Sequence, residues 1–311
     1  MKLVTFETGG ARHIGCLLAD GETISDFTAA EGAAGHFRDM LALIDGGAPA
    51  LDQARGLERA PKKTAKLSDI RLLAPVPEPR QMRDFLCFEQ HLRQARANRP
   101  LFSGGAPLDP ASIELPQVWY EQPIYYKCNR FSVIGTGQDV LWPRYCKQLD
   151  YELEFGAILA RGGKNIARDN ARSHIFGYCI FNDMSARDAQ MKEMSGQLGP
   201  AKGKDFDTGN ILGPWLVTSD EIPDPYNLTM IARVNGREWS RGNSGSMKHK
   251  FEDILAHVSN EETLHAGEFF GSGTVGNGCG LELGRFLEPG DVVELEITGL
   301  GILTNKVVAQ A

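Results

Sequence analysis

The stretch LDYELEFGAIL, residues 149–159, decides the fold class, because it predicts a buried strand that carries two acids. Successive side chains of a strand point to opposite faces, so Glu152 and Glu154 lie on the same face. The other face is apolar at each position, with Tyr151, Leu153, Phe155, Ala157 and Leu159. Ile158 continues the glutamate face as an apolar residue, which counts against the alternative that this face is simply wetted. Two buried carboxylates repel each other unless a cation or a proton lies between them.

The segments around this strand predict an α+β protein. Strand-like runs rich in β-branched and aromatic residues cover 173–181, 214–218, 228–234 and 292–297. Helical spacing is found in short runs at 88–98, 185–194 and 251–259. Thirty-five glycines and sixteen prolines supply turns, and the strands do not alternate strictly with helices as in a doubly wound fold. We therefore expect a β-rich fold of mixed, mostly antiparallel sheets with few short helices.

The first 75 residues predict a small α/β module of their own. Its predicted elements are two short strands at 2–6 and 14–18 and one helix at 37–44. A proline-punctuated sequence, LLAPVPEP at 72–79, then leads into the main part of the chain. These features predict a small N-terminal domain at 1–75 and a main domain at 76–311.

Composition and charge exclude several classes of protein. Thirty-three basic and forty acidic residues give a formal net charge of −7 without a basic block, so no nucleic-acid partner is expected. No apolar run approaches the roughly twenty residues that span a bilayer, so we expect no membrane association and a cytoplasmic location. The six cysteines form no CxxC pair, which predicts reduced thiols rather than a disulfide framework or a zinc ribbon.

Two further acids lie near the ends of predicted elements. Asp183 follows the apolar run 175–181 and precedes a helical pattern, and on its own it also fits a helix N-cap. Asp84, in the segment RDFLCFEQH at 83–91, carries little information alone. A set of carboxylates without histidine or thiolate pairs at ligand spacing suits a hard cation such as Mg²⁺, Ca²⁺ or Mn²⁺ rather than Zn²⁺.

Five motifs, taken together, resemble the fumarylacetoacetate hydrolase family over most of the chain beyond residue 75. In chain order they are Asp-x(6)-His at Asp84 and His91, Glu-x-Glu at Glu152 and Glu154, Asp-x-Ser-Ala-Arg-Asp-x-Gln from Asp183 to Gln190, Leu-Gly-Pro-x-x-Gly-Lys-x-Phe from Leu198 to Phe206, and Gly-Ser-Gly-Thr followed by Leu-Glu-Leu at 271–274 and 281–283. Five motifs in this order are hard to obtain by accident. The resemblance implies the β-rich fold of that family.

The resemblance also implies a metal site and a subclass. The family's cation ligands correspond here to Asp84, Glu152, Glu154 and Asp183, which implies bound Mg²⁺, with Ca²⁺ or Mn²⁺ as alternatives. The presence of the first aspartate together with His91 and Glu282 makes the chain similar to the diketo-acid hydrolases rather than to the decarboxylases, isomerases and hydratases. A homodimer and a small keto-acid substrate are implied as well. The family's substrate-binding arginine has no aligned counterpart, and Arg99 is a nearby candidate.

Cleavage of a carbon–carbon bond between two carbonyls requires an activated water, a stabilised oxyanion and a place for the electrons of the leaving carbanion. His91 fits a general base on water, and Glu282 would fix its tautomer and stabilise the imidazolium. Lys204 fits a catalytic donor, with Lys202 as the alternative two positions away. The predicted substrate contacts are Arg187, Gln190, Thr274 and Tyr126, with Tyr125 as the alternative register for the last.

These residues predict a metal-dependent hydrolase of a β-diketo acid, of the fumarylacetoacetate, fumarylpyruvate, acylpyruvate or 2,4-diketo sugar acid type. The alternative within the family is a decarboxylase, isomerase or hydratase of a related keto acid. A non-catalytic β-rich protein that holds calcium is the alternative of another class, and His91 with Glu282 counts against it because a structural site needs neither. The glycine-rich stretch 271–278 lacks a P-loop lysine, so it predicts a tight turn rather than a nucleotide site.

Overall fold

The structure, a computed structural model, describes residues 1–32 and 35–310. The chain opens with a hairpin of β1 (Lys2–Thr8) and β2 (Ala11–Leu17) that turns at Gly9 and Gly10. Both glycines have positive φ, 57° and 78°, as tight two-residue hairpin turns require. The next elements are β3 (Thr23–Asp26), α1 (Phe27–Glu31), α2 (Met40–Asp45), α3 (Gly47–Arg59), β4 (Thr64–Lys66) and β5 (Arg71–Leu72).

The two strands predicted for this segment are confirmed, but its helices were only partly predicted. The helix expected at 37–44 is confirmed in its second half, where α2 lies. Helix α3, thirteen residues long, was not predicted, because two glycines and a proline interrupt its sequence. Its buried side chains nevertheless follow helical spacing at Ala50, Ala54 and Leu57.

Most elements predicted beyond residue 75 are confirmed within a few residues at either end. The predicted strands correspond to β11, β12, β14, β15 and β18 below, and the predicted helices to α4, α7 and α9. The elements are β6 (Met82–Phe85), α4 (Glu89–Ala97), α5 (Gln117–Glu121), β7 (Tyr125–Lys127), β8 (Val133–Ile134), β9 (Val140–Trp142), β10 (Leu149–Asp150), β11 (Leu153–Leu159), α6 (Arg168–Ala171), β12 (Ile175–Asp183), β13 (Ser185–Ala186), α7 (Arg187–Met194), α8 (Ala201–Lys204), β14 (Asn210–Thr218), β15 (Thr229–Val234), β16 (Arg237–Asn243), α9 (Phe251–Ser259), β17 (Phe269–Gly271), α10 (Gly280–Leu283), β18 (Val292–Ile297) and β19 (Gly301–Ala309).

The sheets are mixed and mostly antiparallel, so the predicted α+β fold class is confirmed. The main sheet has the strand order β4-β3-β2-β1-β14-β12-β11-β17-β6-β7, and a second sheet has the order β16-β15-β18-β19-β9. Parallel pairs join β8 to β14, β6 to β17 and β9 to β19. Because strand β1 pairs with β14, the main sheet runs across the boundary expected near residue 75. The division into two domains stays a prediction.

Strand β11 lies at the centre of the main sheet, between β12 and β17. Each of its residues is buried, and the ring of Phe155 packs edge-on against Phe251 with the centroids 5.3 Å apart. Glu154 is fully buried within the same strand. The sheet therefore carries an acid into a region from which water is excluded.

Two expectations drawn from composition concern the cysteines and the membrane. The six cysteines are buried and free of disulfides, as expected. In the part of the chain that the structure describes, no helix is long and apolar enough to cross a membrane. The cytoplasmic location stays a prediction.

Candidate active site

Close contact between two strands places the first carboxylate of the site. Strand β6 pairs in parallel with β17, with Asp84 opposite Gly271. A Cβ atom on Gly271 would lie 2.3 Å from Asp84 Oδ1, so this position has room for glycine alone. Gly273 has φ 78°, a Cβ atom on it would lie 2.1 Å from the Phe85 carbonyl oxygen, and its N–H donates to Asp84 Oδ1 over 3.2 Å. The Gly-Ser-Gly-Thr motif is therefore the backbone cradle of Asp84.

Three carboxylates from three strands of the main sheet, β6, β11 and β12, converge at this point. Asp84, Glu154 and Asp183 have carboxylate oxygens that all lie within 4.8 Å of one another. All three side chains are buried. Two of the buried oxygens, Glu154 Oε2 and Asp183 Oδ1, have no hydrogen-bond partner. Unpartnered, buried carboxylate oxygens are the arrangement that a bound cation would complete.

The pKa values of these three acids are raised above their usual range. Burial, with the negative charge of Glu152 adding to it, raises the pKa of Asp84 to about 6, although the nearby charge of Lys204 opposes the shift. Burial likewise raises the pKa of Asp183 to about 8 and that of Glu154 well above its usual range. Without a cation, the cluster therefore retains protons near neutral pH. Its all-oxygen donor set fits Mg²⁺, Mn²⁺ or Ca²⁺.

Glu152, the fourth predicted ligand, lies in a different electrostatic setting. Lys204 Nζ donates to Glu152 Oε2 over 2.5 Å and to Asp183 Oδ2 over 2.6 Å. Arg187 Nη2 donates to Glu152 Oε1 over 2.8 Å. Burial raises the pKa of Glu152, but the charges of Lys204 and Arg187 outweigh it and hold that pKa below its usual value. Glu152 thus links the carboxylates to two fixed cations, and its role as a fourth ligand stays a prediction.

Asp150 is a site residue that the sequence reasoning missed. It accepts from Arg187 Nε over 2.8 Å, and Arg187 Nη1 donates to Gln190 Oε1 over 3.0 Å. The same carboxylate accepts the N–H groups of Gly280 and Leu281, over 2.7 and 2.9 Å, at the start of α10. Asp150 therefore holds Arg187 and the first turn of α10 in one arrangement. Its position at the head of the Glu-x-Glu strand was the available signal.

A histidine–carboxylate pair adjoins the cluster. His91, in the first turn of α4, forms a short hydrogen bond from Nδ1 to Glu282 Oε1 on α10. Both side chains are buried. Burial raises the pKa of Glu282, and the interaction with His91 opposes this shift. Since Nδ1 is engaged by Glu282, Nε2 is the nitrogen left for chemistry in the cavity that the ring lines.

Tyr126 and Thr274, predicted as substrate contacts, also support the carboxylates. The Tyr126 hydroxyl donates to Asp183 Oδ2 over 2.7 Å, and Thr274 Oγ1 donates to Glu154 Oε1 over 3.1 Å. Both residues line the cavity, so a substrate contact by either stays a prediction.

The alternative Lys202 is exposed, with its Nζ 5.5 Å from the ring centre of Tyr145, whereas Lys204 is buried in the site.

These groups share one cavity of about 260 Å³. Its wall includes four donor side chains beside three of the acids: His91, Lys204, Arg187 and Gln190, next to Asp84, Glu152 and Asp183. Apolar side chains from α4 and α7, among them Leu92, Met191 and Met194, form much of the remaining wall. Arg96 and Arg99 also reach it. The cavity thus combines an anionic floor with a partly cationic, partly apolar wall and fits a small anionic molecule.

Several known proteins are similar to this chain in sequence or in fold. Residues 81–308 match the family model described as fumarylacetoacetate (FAA) hydrolase C-terminal. The oxaloacetate tautomerase fahd2, mitochondrial, of Xenopus laevis is 32% identical over 312 residues, covering 99% of this chain and 90% of that protein. The solved fumarylacetoacetate hydrolase of Exiguobacterium antarcticum is 28% identical, with a TM-score of 0.75 over 100% of both chains. The maleylpyruvate hydrolase of Sphingobium sp. SYK-6, solved with manganese(II) and pyruvate, shares the fold at 22% identity, with a TM-score of 0.74 over 100% of both chains.

Proposed function

Because the chain belongs to the fumarylacetoacetate hydrolase family, an enzyme family, we propose that it hydrolyses a carbon–carbon bond in a small β-diketo acid. The observation that carries the proposal is the buried His91–Glu282 pair on the same cavity as the carboxylate cluster. A histidine with a fixed tautomer and an adjoining cation site are the two elements that hydrolytic cleavage of a diketone requires. The substrate classes are fumarylacetoacetate, fumarylpyruvate, acylpyruvate or 2,4-diketo sugar acids.

The cation of this proposal is Mg²⁺, with Mn²⁺ or Ca²⁺ as alternatives. Asp84, Glu154 and Asp183 would hold it, because two of their buried oxygens lack hydrogen-bond partners. When bound, the cation supplies the positive charge that stabilises an enolate formed in the reaction. Tyr126 and Thr274 keep the carboxylates of Asp183 and Glu154 in orientation through their hydroxyl groups.

His91 removes a proton from the attacking water in this mechanism. Its Nδ1 is held by Glu282, so the unprotonated Nε2 is the atom that accepts the proton. The imidazolium that forms is stabilised by the Glu282 carboxylate beside it. Because the pair is buried, this interaction acts in a medium of low dielectric and is stronger than it would be in water.

Fixed cations on the wall match the charges of the substrate. Lys204, Arg187 and Gln190 present donors to the cavity, where an oxyanion and a substrate carboxylate require them. Arg96 and Arg99 add positive charge farther along the wall, and among the described residues neither forms an ion pair. Burial lowers the pKa of Arg99, and the charge of Arg96 adds to this shift. A carboxylate of the substrate would relieve both effects, which supports Arg99 as a substrate contact.

A second candidate function is keto–enol tautomerisation of a 2-keto acid such as oxaloacetate. The 32% identity to the Xenopus laevis tautomerase over nearly the whole chain favours it. His91 would then move a proton between carbon and oxygen of the substrate, and no water would be consumed. The two functions therefore differ in their products and in the group from which His91 takes its proton, which is water in the hydrolase and the substrate in the tautomerase.

A turnover screen separates the two functions. Purified protein with Mg²⁺ or Mn²⁺ would be incubated with acylpyruvates, fumarylpyruvate and fumarylacetoacetate, and with oxaloacetate as its enol. We expect two carboxylic fragments from a diketo acid, detected by chromatography, with incorporation of ¹⁸O from labelled water. Rapid loss of the oxaloacetate enol without any cleavage of diketo acids would contradict the hydrolase and favour the tautomerase.

A further inference from the structure

A thiol lies beside the His91–Glu282 pair. Cys279 Sγ is 3.7 Å from Glu282 Oε1 and 4.0 Å from His91 Nδ1. All three side chains are buried, and each offers one ligand atom within 4.8 Å of the other two. The second oxygen of the carboxylate, Glu282 Oε2, is buried without a hydrogen-bond partner. The three side chains therefore present nitrogen, sulfur and oxygen donors around one point.

From this geometry we propose that Cys279, His91 and Glu282 form a second cation site, selective for thiophilic ions such as Zn²⁺, whose occupation inhibits the enzyme. The proposed catalytic cation site consists of oxygen ligands and suits hard cations. The second group contains a thiol and an imidazole, the donors that Zn²⁺ prefers. The chain would thus hold a hard and a soft cation site next to each other.

The observed distances require small movements to accommodate the ion. Tetrahedral Zn²⁺ has bonds of about 2.0–2.3 Å to these donors, which places ligand atoms about 3.3–3.6 Å apart. The two sulfur distances, 3.7 and 4.0 Å, exceed this spacing by a few tenths of an ångström. The His91–Glu282 hydrogen bond must open by a larger amount. His91 borders the cavity, so the ion reaches the group from the substrate side.

Binding there would disable the general base by changing its tautomer. A metal on Nδ1 leaves the single proton of the neutral imidazole on Nε2. Nε2, the proposed proton acceptor, then carries a hydrogen and no longer accepts a proton from water. The thiol proton of Cys279 is released to solvent as the thiolate binds the ion. This inference rests on the proposed role of His91 for its effect on turnover, but not for the binding itself.

Cobalt(II) tests the binding without reference to catalysis, because a thiolate–cobalt bond has an intense near-ultraviolet charge-transfer band. The protein would be saturated with Mg²⁺ and titrated with Co²⁺. We expect the band in the parent protein, its loss in Cys279→Ala, and its retention in Cys146→Ala, a control at another buried cysteine. Should Cys279→Ala fail to fold, Cys279→Ser serves instead, since a hydroxyl gives no such band. A parent without the band, or a Cys279 variant that keeps it, overturns the proposal.

Inhibition by Zn²⁺ at saturating Mg²⁺ tests the consequence. The inhibition constant should rise at least about tenfold in Cys279→Ala, since even outer-shell partners of a metal contribute this much. Cys146→Ala should match the parent. If added Mg²⁺ relieves the inhibition completely, Zn²⁺ acts at the oxygen cluster and the proposed inhibitory site is wrong. A cobalt band dependent on Cys279 in a protein without hydrolase activity would instead show that the proposed function had failed while the site was correct.

Discussion

Strand β6 carries two neighbouring charges, Arg83 and Asp84, into two different buried regions. Arg83 forms ion pairs with Glu268 and, over 2.5 Å, with Glu262, whose carboxylate also lies 3.8 Å from Lys127 Nζ. Asp84 lies among the converging carboxylates of the active site. Adjacent side chains of a strand face opposite ways, so one strand serves a structural network on one face and a chemical site on the other.

The difference lies in how each region balances its charge. In the Arg83 network, two acids face two bases, and Glu268 also accepts the His265 N–H over 2.9 Å. In the site, the acids outnumber the fixed cations, which are Lys204 and Arg187. Buried charges in proteins are ordinarily paired, because an unpaired one is costly. A region that the chain leaves unbalanced is therefore the region built for an external charge.

The largest effect is expected on the free energy of unfolding, when a substitution breaks the Arg83 network. Glu268→Ala should lower the free energy of unfolding by about 3–5 kcal/mol, because it leaves Arg83 buried with one partner. Mg²⁺ affinity of the folded fraction should stay within a few-fold. Urea unfolding and calorimetric Mg²⁺ titration measure the two quantities. A variant that is as stable as the parent but has lost its cation would show that Arg83 belongs to the site.

A change in the His91–Glu282 pair should lower turnover. His91→Ala should reduce kcat roughly a hundredfold or more, the range of general-base catalysis. The double variant with Glu282→Gln should be little worse, because residues that act as one unit give non-additive losses. Steady-state kinetics on the substrate found in the screen measure this, with Mg²⁺ affinity as the control. Losses that multiply independently would remove the pair from the mechanism.

A third substitution sharpens the contrast in cation binding. Mg²⁺ at about a hundred times its Kd should stabilise the parent by about 2.7 kcal/mol. Glu154→Gln should lose most of this gain, because it removes one of the oxygens that lack a partner. Glu262→Gln, in the Arg83 network, is the matched control and should retain it. Thermal unfolding with and without Mg²⁺ measures this stabilisation. Equal stabilisation of both variants by Mg²⁺ would contradict the ligand assignment.

A further effect concerns pH in chelator-treated protein. Burial raises the pKa of Asp84 from 3.8 to about 6 and that of Asp183 from 3.8 to about 8. The folded state therefore binds more protons than the unfolded chain between about pH 4 and pH 8, and stability falls as the pH rises through that window. Asp183→Asn should show a weaker decline when unfolding is followed at several pH values. A parent whose decline equals that of the variant would contradict the raised pKa of Asp183.

The smallest effect is expected in the first 75 residues, which contain none of the predicted site residues. Lys62→Ala removes an exposed ion pair with Glu31 and should change stability by about 0–1 kcal/mol. Turnover should stay within a few-fold of the parent. A large loss of kcat in a folded variant would place part of the chemistry in the N-terminal segment.

Much of the fold was predictable because short-range patterns encode it. Strand alternation at 149–159 correctly separated the acidic and apolar faces of β11, and helical spacing located α9 within its exact bounds at Phe251–Ser259. Helix α3 was missed because two glycines and a proline lower the helix propensity of its sequence. Tertiary packing stabilises that helix, and the local sequence pattern does not predict this packing.

The sequence by itself determined which residue types gather at the site, since spacing within one strand fixes the face on which a side chain lies. The tertiary structure decided which acids contact the fixed cations and which acids contact one another. Glu152 precedes β11, is held by an Asn182 side chain at its N–H, and faces Lys204 and Arg187, whereas Glu154 faces Asp84 and Asp183. The contact of Asp150 with Arg187 and the contacts of Cys279 with the His91–Glu282 pair are likewise set by the tertiary structure. Such partners come from strands and loops far apart in the chain, so their approach depends on sheet register and packing, which no local period encodes.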